Sequence, residues 1–158
     1  MKALLVIDMQ EDYVGEMRDK RRFPYHPELL LPRINERIQE FKNEGNLVVY
    51  VLNRFFYQRK TYTPRPVQGL TMVSNHIFIK NRMNSFSNPA LAGFLRENNI
   101  SELEMVGVDG NYCVAASARS GVKNKFSVLF NRQCIEAAKV DKFEKTMSRL
   151  RASNVTVQ

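Results

Sequence analysis

The chain has few cysteines and histidines and no long apolar run. Cys113 and Cys134 are its two cysteines, and His26 and His76 are its two histidines. No apolar run approaches the ~20 residues that a bilayer-spanning helix needs, so we expect no transmembrane segment. Two cysteines without other signs of secretion favour reduced thiols in a cytoplasmic protein. The length suits one domain over residues 1–158, which can bury a core without disulfides or a structural metal.

Acidic residues are scarce relative to basic ones. The chain has 24 lysines and arginines against 16 aspartates and glutamates, for a net charge of +8. The basic residues concentrate in the segment Arg18–Arg22 and, more loosely, at Arg119, Lys123 and Lys125. Such charge can bind nucleic acid, attract an anionic small molecule or simply be solvated. No zinc-finger spacing, aromatic RNA-binding strand or heptad array accompanies it, which disfavours nucleic acid as the primary partner.

Short apolar runs alternate with stretches whose apolar residues recur every three or four positions. This alternation predicts a three-layer α/β/α sandwich around a mostly parallel, Rossmann-like sheet of about six strands. The first apolar run, Ala3–Ile7, is too short for a secretory leader, so we expect none. The predicted strands are Ala3–Ile7, Leu47–Leu52, Ile77–Ile79, Glu104–Val108, Phe126–Phe130 and Val155–Val157, with the first at the centre. Helices are predicted from Pro27 to a stop at Gly45, from Pro89 after an Asn88 cap, from Cys113, and over Lys139–Arg151.

Polar side chains follow three of the predicted strands. Asp8 follows the first strand, Lys80 the third, and Cys113 lies in the turn after the fourth. Ligands of open parallel sheets bind at the carboxyl ends of the strands. An acid, a base and a thiol are therefore predicted to converge on the edge where this architecture places chemistry.

The segment Gly107–Val114 predicts the local setting of Cys113. A buried strand ends in a glycine-containing turn, and the cysteine then starts a helix. Helix N-terminal N–H groups stabilise a thiolate, which is the nucleophilic form. The alternative is a small core residue, which is how many free cysteines behave.

Three ordered blocks carry a resemblance over nearly the whole chain. They are Leu4–Tyr13, Lys80–Phe86 and Gly107–Val114. In order and strand context they resemble the isochorismatase-like cysteine hydrolases, the family that includes nicotinamidases and carbamoyl-amide hydrolases. The resemblance implies a cofactor-independent amidohydrolase that cleaves a C–N bond, other than a peptide bond, in a small molecule.

The family's catalytic aspartate, lysine and cysteine fall on Asp8, Lys80 and Cys113. The resemblance implies that the Cys113 thiolate attacks a carbonyl carbon to form a thioester, with Lys80 and the helix end favouring the charged sulfur. Asp8 then acts as general acid and base. A non-proline cis peptide bond between Val108 and Asp109 is also implied, and it would direct the Asp109 and Cys113 amides to one oxyanion hole. An acidic Asp109 opposes thiolate formation unless its carboxylate points away.

Other positions depart from the family pattern. Nicotinamidases of the family bind a metal through an aspartate and two histidines after the second strand. Here residues 53–60 contain neither histidine nor carboxylate, and His26 and His76 lie elsewhere. We therefore expect no metal site and disfavour nicotinamidase activity. Isochorismate hydrolysis is associated with members that lack the cysteine, so Cys113 disfavours that branch too.

Five side chains near the strand ends and the cysteine are candidates for a substrate pocket. Tyr13, Phe55 and Phe56 follow the first two strands, and Asn111 and Tyr112 directly precede the cysteine. These side chains can line a substrate pocket, or the aromatic ones can pack in the core or at an interface.

Two functions of other classes remain open. A catalytically silent family member would serve as a binding or assembly protein, and a basic nucleic-acid-associated protein would use its surplus charge. The segment Arg18–Arg22 can be a lid that attracts an anionic substrate or a solvated loop. Members of the family commonly assemble, so the resemblance implies a homo-oligomer, either a dimer or a tetramer.

Overall fold

A computed structural model describes all 158 residues. Its strands are β1 (Lys2–Ile7), β2 (Leu47–Asn53), β3 (Ile77–Lys80), β4 (Glu102–Val108), β5 (Ser127–Glu136) and β6 (Thr156–Val157). They pair in parallel in the order β3-β2-β1-β4-β5-β6, with β1 in the interior of the sheet as predicted. The helices are α1 (Glu11–Val14), α2 (Pro27–Asn43), α3 (Pro89–Glu97), α4 (Cys113–Lys123) and α5 (Val140–Ala152). The predicted α/β class and parallel sheet are confirmed.

The sheet separates two hydrophobic cores, because successive residues of each strand point to opposite faces. Leu4 and Val6 of β1 join the core under α1 and α2, whereas Leu5 and Ile7 join the core under α3, α4 and α5. The central strands are buried on both faces, which explains their nearly continuous apolar sequences. No helix is both long and apolar enough to span a membrane.

Two predicted helix boundaries are confirmed by local geometry. Gly45 follows α2 with φ +72°, a conformation that glycine adopts without steric cost. The Asn88 side chain accepts a hydrogen bond from the Ala90 N–H, and Pro89 occupies the first turn of α3. Both ends were predictable because they depend on neighbours in the chain.

The predicted end of the fifth strand was wrong. We expected it to stop at Phe130, but β5 continues to Glu136 across a register shift opposite Met105 and Gly107. Its polar middle is held by the last residue of the chain, since Arg132 N–H donates to the Gln158 carbonyl at 2.7 Å. The short α1 and a 3-10 turn at Ser85–Ser87 were not predicted.

The strand order brings the polar side chains to one edge. Because β2 lies between β1 and β3, its last residue, Asn53, comes between Asp8 and Lys80. The neighbour of β1 on the other side is β4, which leads through a short turn to Cys113.

Candidate active site

Asp8 directly follows β1 and is fully buried. Its backbone has a left-handed φ of 56°, and its N–H donates to the Val51 carbonyl of β2 at 2.9 Å. Oδ2 accepts a hydrogen bond from Lys80, whereas Oδ1 has no protein partner. Burial raises the pKa of the Asp8 carboxyl, and the adjacent Lys80 charge opposes that rise. One carboxylate oxygen is therefore fixed and the other is free to take a proton.

Lys80, the last residue of β3, links the other polar groups. Its buried Nζ lies 3.1 Å from Asp8 Oδ2, 3.5 Å from Asn53 Oδ1 and 3.6 Å from Cys113 Sγ. An ammonium group has three protons and cannot accept a hydrogen bond. Its three acceptors therefore match its donors in number, and the geometry suits a charged lysine beside both the acid and the thiol.

Cys113 is the first residue of α4, with 8% of its surface exposed. Burial raises the pKa of its thiol above the usual range, the negative charge of Asp8 raises it further, and Lys80 opposes both effects. Lys80 acts on the sulfur in the expected direction, since its charge and hydrogen bond lower this pKa, but burial and the Asp8 charge outweigh it. The physical reason is desolvation, because removing the sulfur from water disfavours its charged form more than one nearby ammonium favours it.

The turn before α4 leaves two backbone donors unused. The Val108–Asp109 peptide bond is cis, as the resemblance implied. Neither the Asp109 N–H nor the Cys113 N–H donates to a protein acceptor. By contrast, the Gly110 N–H donates to the backbone carbonyl of Glu136, and the Val114 N–H donates to the backbone carbonyl of Asp109. Two free backbone N–H groups, that of Cys113 itself and that of Asp109, thus belong to the segment that carries the thiol.

The Asp109 carboxylate is held by three donors within its own surroundings. Oδ2 accepts from the Tyr25 hydroxyl at 2.9 Å and from the Ala138 N–H at 2.8 Å, and Oδ1 accepts from the Asn111 N–H at 2.7 Å. These partners belong to the segment before α2, the segment after β5 and the turn itself. Both carboxylate oxygens are thus used in hydrogen bonds that join these segments, and neither one is hydrogen-bonded to the Cys113 thiol.

Two buried amides that the sequence analysis did not single out complete the site. Gln10 and Asn53 exchange hydrogen bonds, since Gln10 Nε2 donates to the Asn53 carbonyl at 2.8 Å and Asn53 N–H donates to Gln10 Oε1 at 2.7 Å. Asn53 Nδ2 also donates to the Tyr13 hydroxyl at 3.2 Å. The sequence signal that could have identified Asn53 is its place directly after the predicted apolar strand Leu47–Leu52.

The five candidate pocket residues lie in three different settings. Tyr13 is buried and packs on Phe55 with ring centroids 5.4 Å apart, beside the Asn53 amide. Phe56 is 94% exposed and contacts the edge of Tyr57, the ring that stacks on Phe55 at 5.2 Å.

Asn111 and Tyr112 face the other side of the Cys113 helix. The Asn111 side chain donates to the Lys139 carbonyl and accepts from Thr146, both in or beside α5. The Tyr112 ring lies under the Lys142 ammonium at 4.8 Å. Their interactions are with α5, so the structure brings only Tyr13 and Phe55 of the five to the Asn53 side.

Within the basic segment, Arg18 and Arg22 make specific contacts. The Arg18 guanidinium donates to the backbone carbonyls of Gly15, Phe23 and Tyr25 at 2.8–3.0 Å, which closes this loop. Arg22 lies over the Phe23 and Phe55 rings at 5.0 and 5.4 Å. A cavity of about 410 Å³ includes Arg18, Arg22 and Phe55 in its lining. Arg18 thus shapes the loop beside the aromatic residues.

The residues present do not fit a metal ion. No group of three or more histidine, cysteine, aspartate or glutamate side chains is arranged to hold one. Asn53, at the end of β2, uses its side chain on Lys80 and Tyr13. His26 pairs with Glu136 at 2.7 Å, and His76 packs on Phe94. The two imidazoles are thus engaged elsewhere.

The chain is similar to proteins of known family. The model of the isochorismatase domain matches residues 2–158. An uncharacterized isochorismatase family protein of Bacillus subtilis, YddQ, is 29% identical over 138 residues, which cover 78% of this chain and 71% of that protein.

Solved structures share the fold. The pyrazinamidase of Pyrococcus horikoshii, solved in complex with zinc, superposes with a TM-score of 0.79 at 24% identity, covering 99% of this chain and 98% of that one. The N-carbamoylsarcosine amidase of Thermoplasma acidophilum has a TM-score of 0.80 at 20% identity, with 99% and 95% covered. At these identities the likeness establishes the architecture.

Proposed function

Because the chain belongs to the isochorismatase family, we propose that it is a cysteine-dependent hydrolase that cleaves the C–N bond of a small amide. The observation that carries the proposal is the position of the Lys80 ammonium, 3.1 Å from the Asp8 carboxylate and 3.6 Å from the Cys113 sulfur. An acid–base group, a fixed cation and a nucleophile in contact are the parts that acyl transfer requires.

The first half of the reaction forms a thioester. The free Oδ1 of Asp8 takes the thiol proton as the Cys113 sulfur attacks the carbonyl carbon of the substrate. The raised pKa of Asp8 favours this step, because a carboxylate of higher pKa is a stronger base. The Asp109 and Cys113 N–H groups receive the carbonyl oxygen as it gains negative charge, and each such donor is worth about 10²–10³ in rate.

The second half releases the product. Asp8 returns the proton to the leaving nitrogen as the C–N bond breaks, and ammonia or an amine departs. Asp8 then takes a proton from a water molecule whose oxygen attacks the thioester. The acid product leaves and the Cys113 sulfur regains its proton. Lys80 lies between Asp8 and Cys113 and stabilises negative charge on either group as the proton moves between them.

A parallel screen of small amides, ureas and lactams tests the proposal. The names of two structural neighbours suggest pyrazinamide and N-carbamoylsarcosine as first compounds. We expect wild type and Cys134→Ala to hydrolyse at least one compound, and Cys113→Ala to lose at least about 10³-fold in kcat. Cys134 is the matched control because it is the other buried free cysteine and lies in the opposite core. Full activity of Cys113→Ala would refute the proposal.

A further inference from the structure

The direction of one chain of hydrogen bonds can be assigned from Lys80 outward. The Lys80 ammonium can only donate, so the side-chain atom of Asn53 that faces it at 3.5 Å is the carbonyl oxygen. The amide nitrogen of Asn53 therefore faces the Tyr13 hydroxyl, 3.2 Å away, and donates to it. The opposite amide orientation would set N–H groups against the ammonium, which excludes it.

This direction leaves the Tyr13 proton without a protein acceptor. Its oxygen already accepts from Asn53, and the hydroxyl donates to no protein atom. The neighbouring rings, Phe23 at 4.8 Å and Phe55 at 5.4 Å, carry no acceptor in their side chains. The Tyr13 hydroxyl is therefore a buried donor without an acceptor in the protein, on the amide that also holds Lys80.

The Tyr13 hydroxyl keeps its proton at neutral pH, as an ordinary tyrosine does. Burial raises the pKa of Tyr13, and the negative charge of Asp8 raises it further. Asn53 links the Tyr13 hydroxyl to Lys80, and Lys80 in turn contacts both Asp8 and Cys113. Tyr13 is 7% exposed, and a buried donor without a partner discriminates strongly against ligands that lack an acceptor.

We propose that the Tyr13 hydroxyl is the specificity donor of the site and that it selects small amides carrying a second hydrogen-bond acceptor beside the scissile carbonyl. A ring nitrogen, a carbonyl oxygen or a carboxylate supplies this chemistry. The inference rests on the proposed function, because it requires the substrate to lie on Cys113. Within that function, Asn53 at the end of β2 has the role of orienting the Tyr13 hydroxyl by donating to its oxygen. No group of side chains suited to a metal ion is present to take that role.

Aldehydes that add reversibly to Cys113 test this inference without turnover. The thiol adds across the aldehyde C=O group, so that an S–C bond forms and the proton passes to the oxygen. The three pyridinecarbaldehyde isomers and benzaldehyde have the same ring size, but benzaldehyde lacks the acceptor nitrogen. Each dissociation constant is read from the protection of Cys113 against iodoacetamide in wild type and Tyr13→Phe.

The decisive quantity is the preference for a pyridine aldehyde over benzaldehyde. Intrinsic electrophilicity cancels when this preference is compared between the two proteins. We expect Tyr13→Phe to reduce it about 5–10-fold for at least one isomer, the value of one hydrogen bond. Asn53→Asp should reduce it similarly with Tyr13 intact, because a carboxylate accepts from both Lys80 and Tyr13 and so reclaims the proton.

The outcomes separate the two proposals. Preferences that agree within about 2-fold between wild type and Tyr13→Phe for all three isomers would overturn the role of Tyr13 alone. Absence of protection by any aldehyde in wild type would overturn the proposed thiol chemistry and the Tyr13 inference with it.

Discussion

The Tyr25 hydroxyl donates to the Asp109 carboxylate at 2.9 Å across 84 residues of sequence. This bond ties the segment before α2 to the turn that carries Cys113. A buried carboxylate loses a strong donor if the hydroxyl is removed.

We predict that Tyr25→Phe lowers the free energy of unfolding by about 2 kcal/mol in urea titration. Tyr62→Phe is the matched control, because the Tyr62 hydroxyl donates to Asp12 at the same distance but at an exposed site. The control should lose less than about 0.5 kcal/mol. Equal losses in the two variants would show that the Tyr25 bond has no special role.

The reactivity of Cys113 should increase when Asp8 is neutralised. Because burial raises the pKa of Cys113 above that of a free thiol, its alkylation by iodoacetamide at pH 8 should be slow and should keep rising above the pH at which a free cysteine levels off. Asp8→Asn removes the charge that raises this pKa and should speed alkylation at pH 8 at least about 5-fold while abolishing hydrolysis.

Lys80→Met should change alkylation in the opposite direction, because it removes the charge that lowers the pKa. All rates are measured in a Cys134→Ser background, so that only one thiol reacts. A fast reaction of wild type at pH 7, with a plateau below pH 8, would contradict this assignment of the resting site as a thiol.

Breaking the ion pair between Arg37 and Glu104 should lower the free energy of unfolding strongly, although this pair lies outside the candidate active site. Arg37 of α2 donates two hydrogen bonds of 2.7 Å to the nearly buried Glu104 of β4. Arg37→Leu leaves that carboxylate without its cation and should cost about 3 kcal/mol in chemical denaturation. Arg132→Leu, which breaks an exposed pair with Glu144, should cost less than about 1 kcal/mol.

Two glycines predict opposite effects of the same substitution. Gly107 has φ +120°, and a Cβ there would overlap the Ile7 carbonyl oxygen, so Gly107→Ala should cost about 3 kcal/mol. Gly93 lies inside α3 with open space around its Cα, so Gly93→Ala should gain about 0.5–1 kcal/mol. Thermal unfolding of both variants measures the contrast, and a destabilised Gly93→Ala would count against it.

Much of the fold was predictable because its signals are local. Apolar runs identified all six strands, and Gly45 and Asn88 marked helix ends through their own backbone and side chain. The polar residues Asp8 and Lys80 at the ends of β1 and β3 were predictable for the same reason. The end of β5 was not, because its polar middle is stabilised by pairing with the chain terminus rather than by its own sequence.

The electrostatics of the site required the tertiary structure. Asp109 turns to Tyr25 and Ala138, partners that are 84 and 29 residues away. The pKa of Cys113 depends on desolvation by elements that the motif does not contain. Asn53 is an ordinary amide in sequence and gains its orientation only from Lys80 across the sheet.

The most direct test of the account is the mass of the protein quenched in acid during turnover of an amide found by the screen. The proposed thioester mechanism predicts an adduct equal to the acyl part of that amide, located on the Cys113 peptide and absent from Cys113→Ala. Hydrolysis that proceeds at an unchanged rate in Cys113→Ala, with no adduct on wild type, would contradict it.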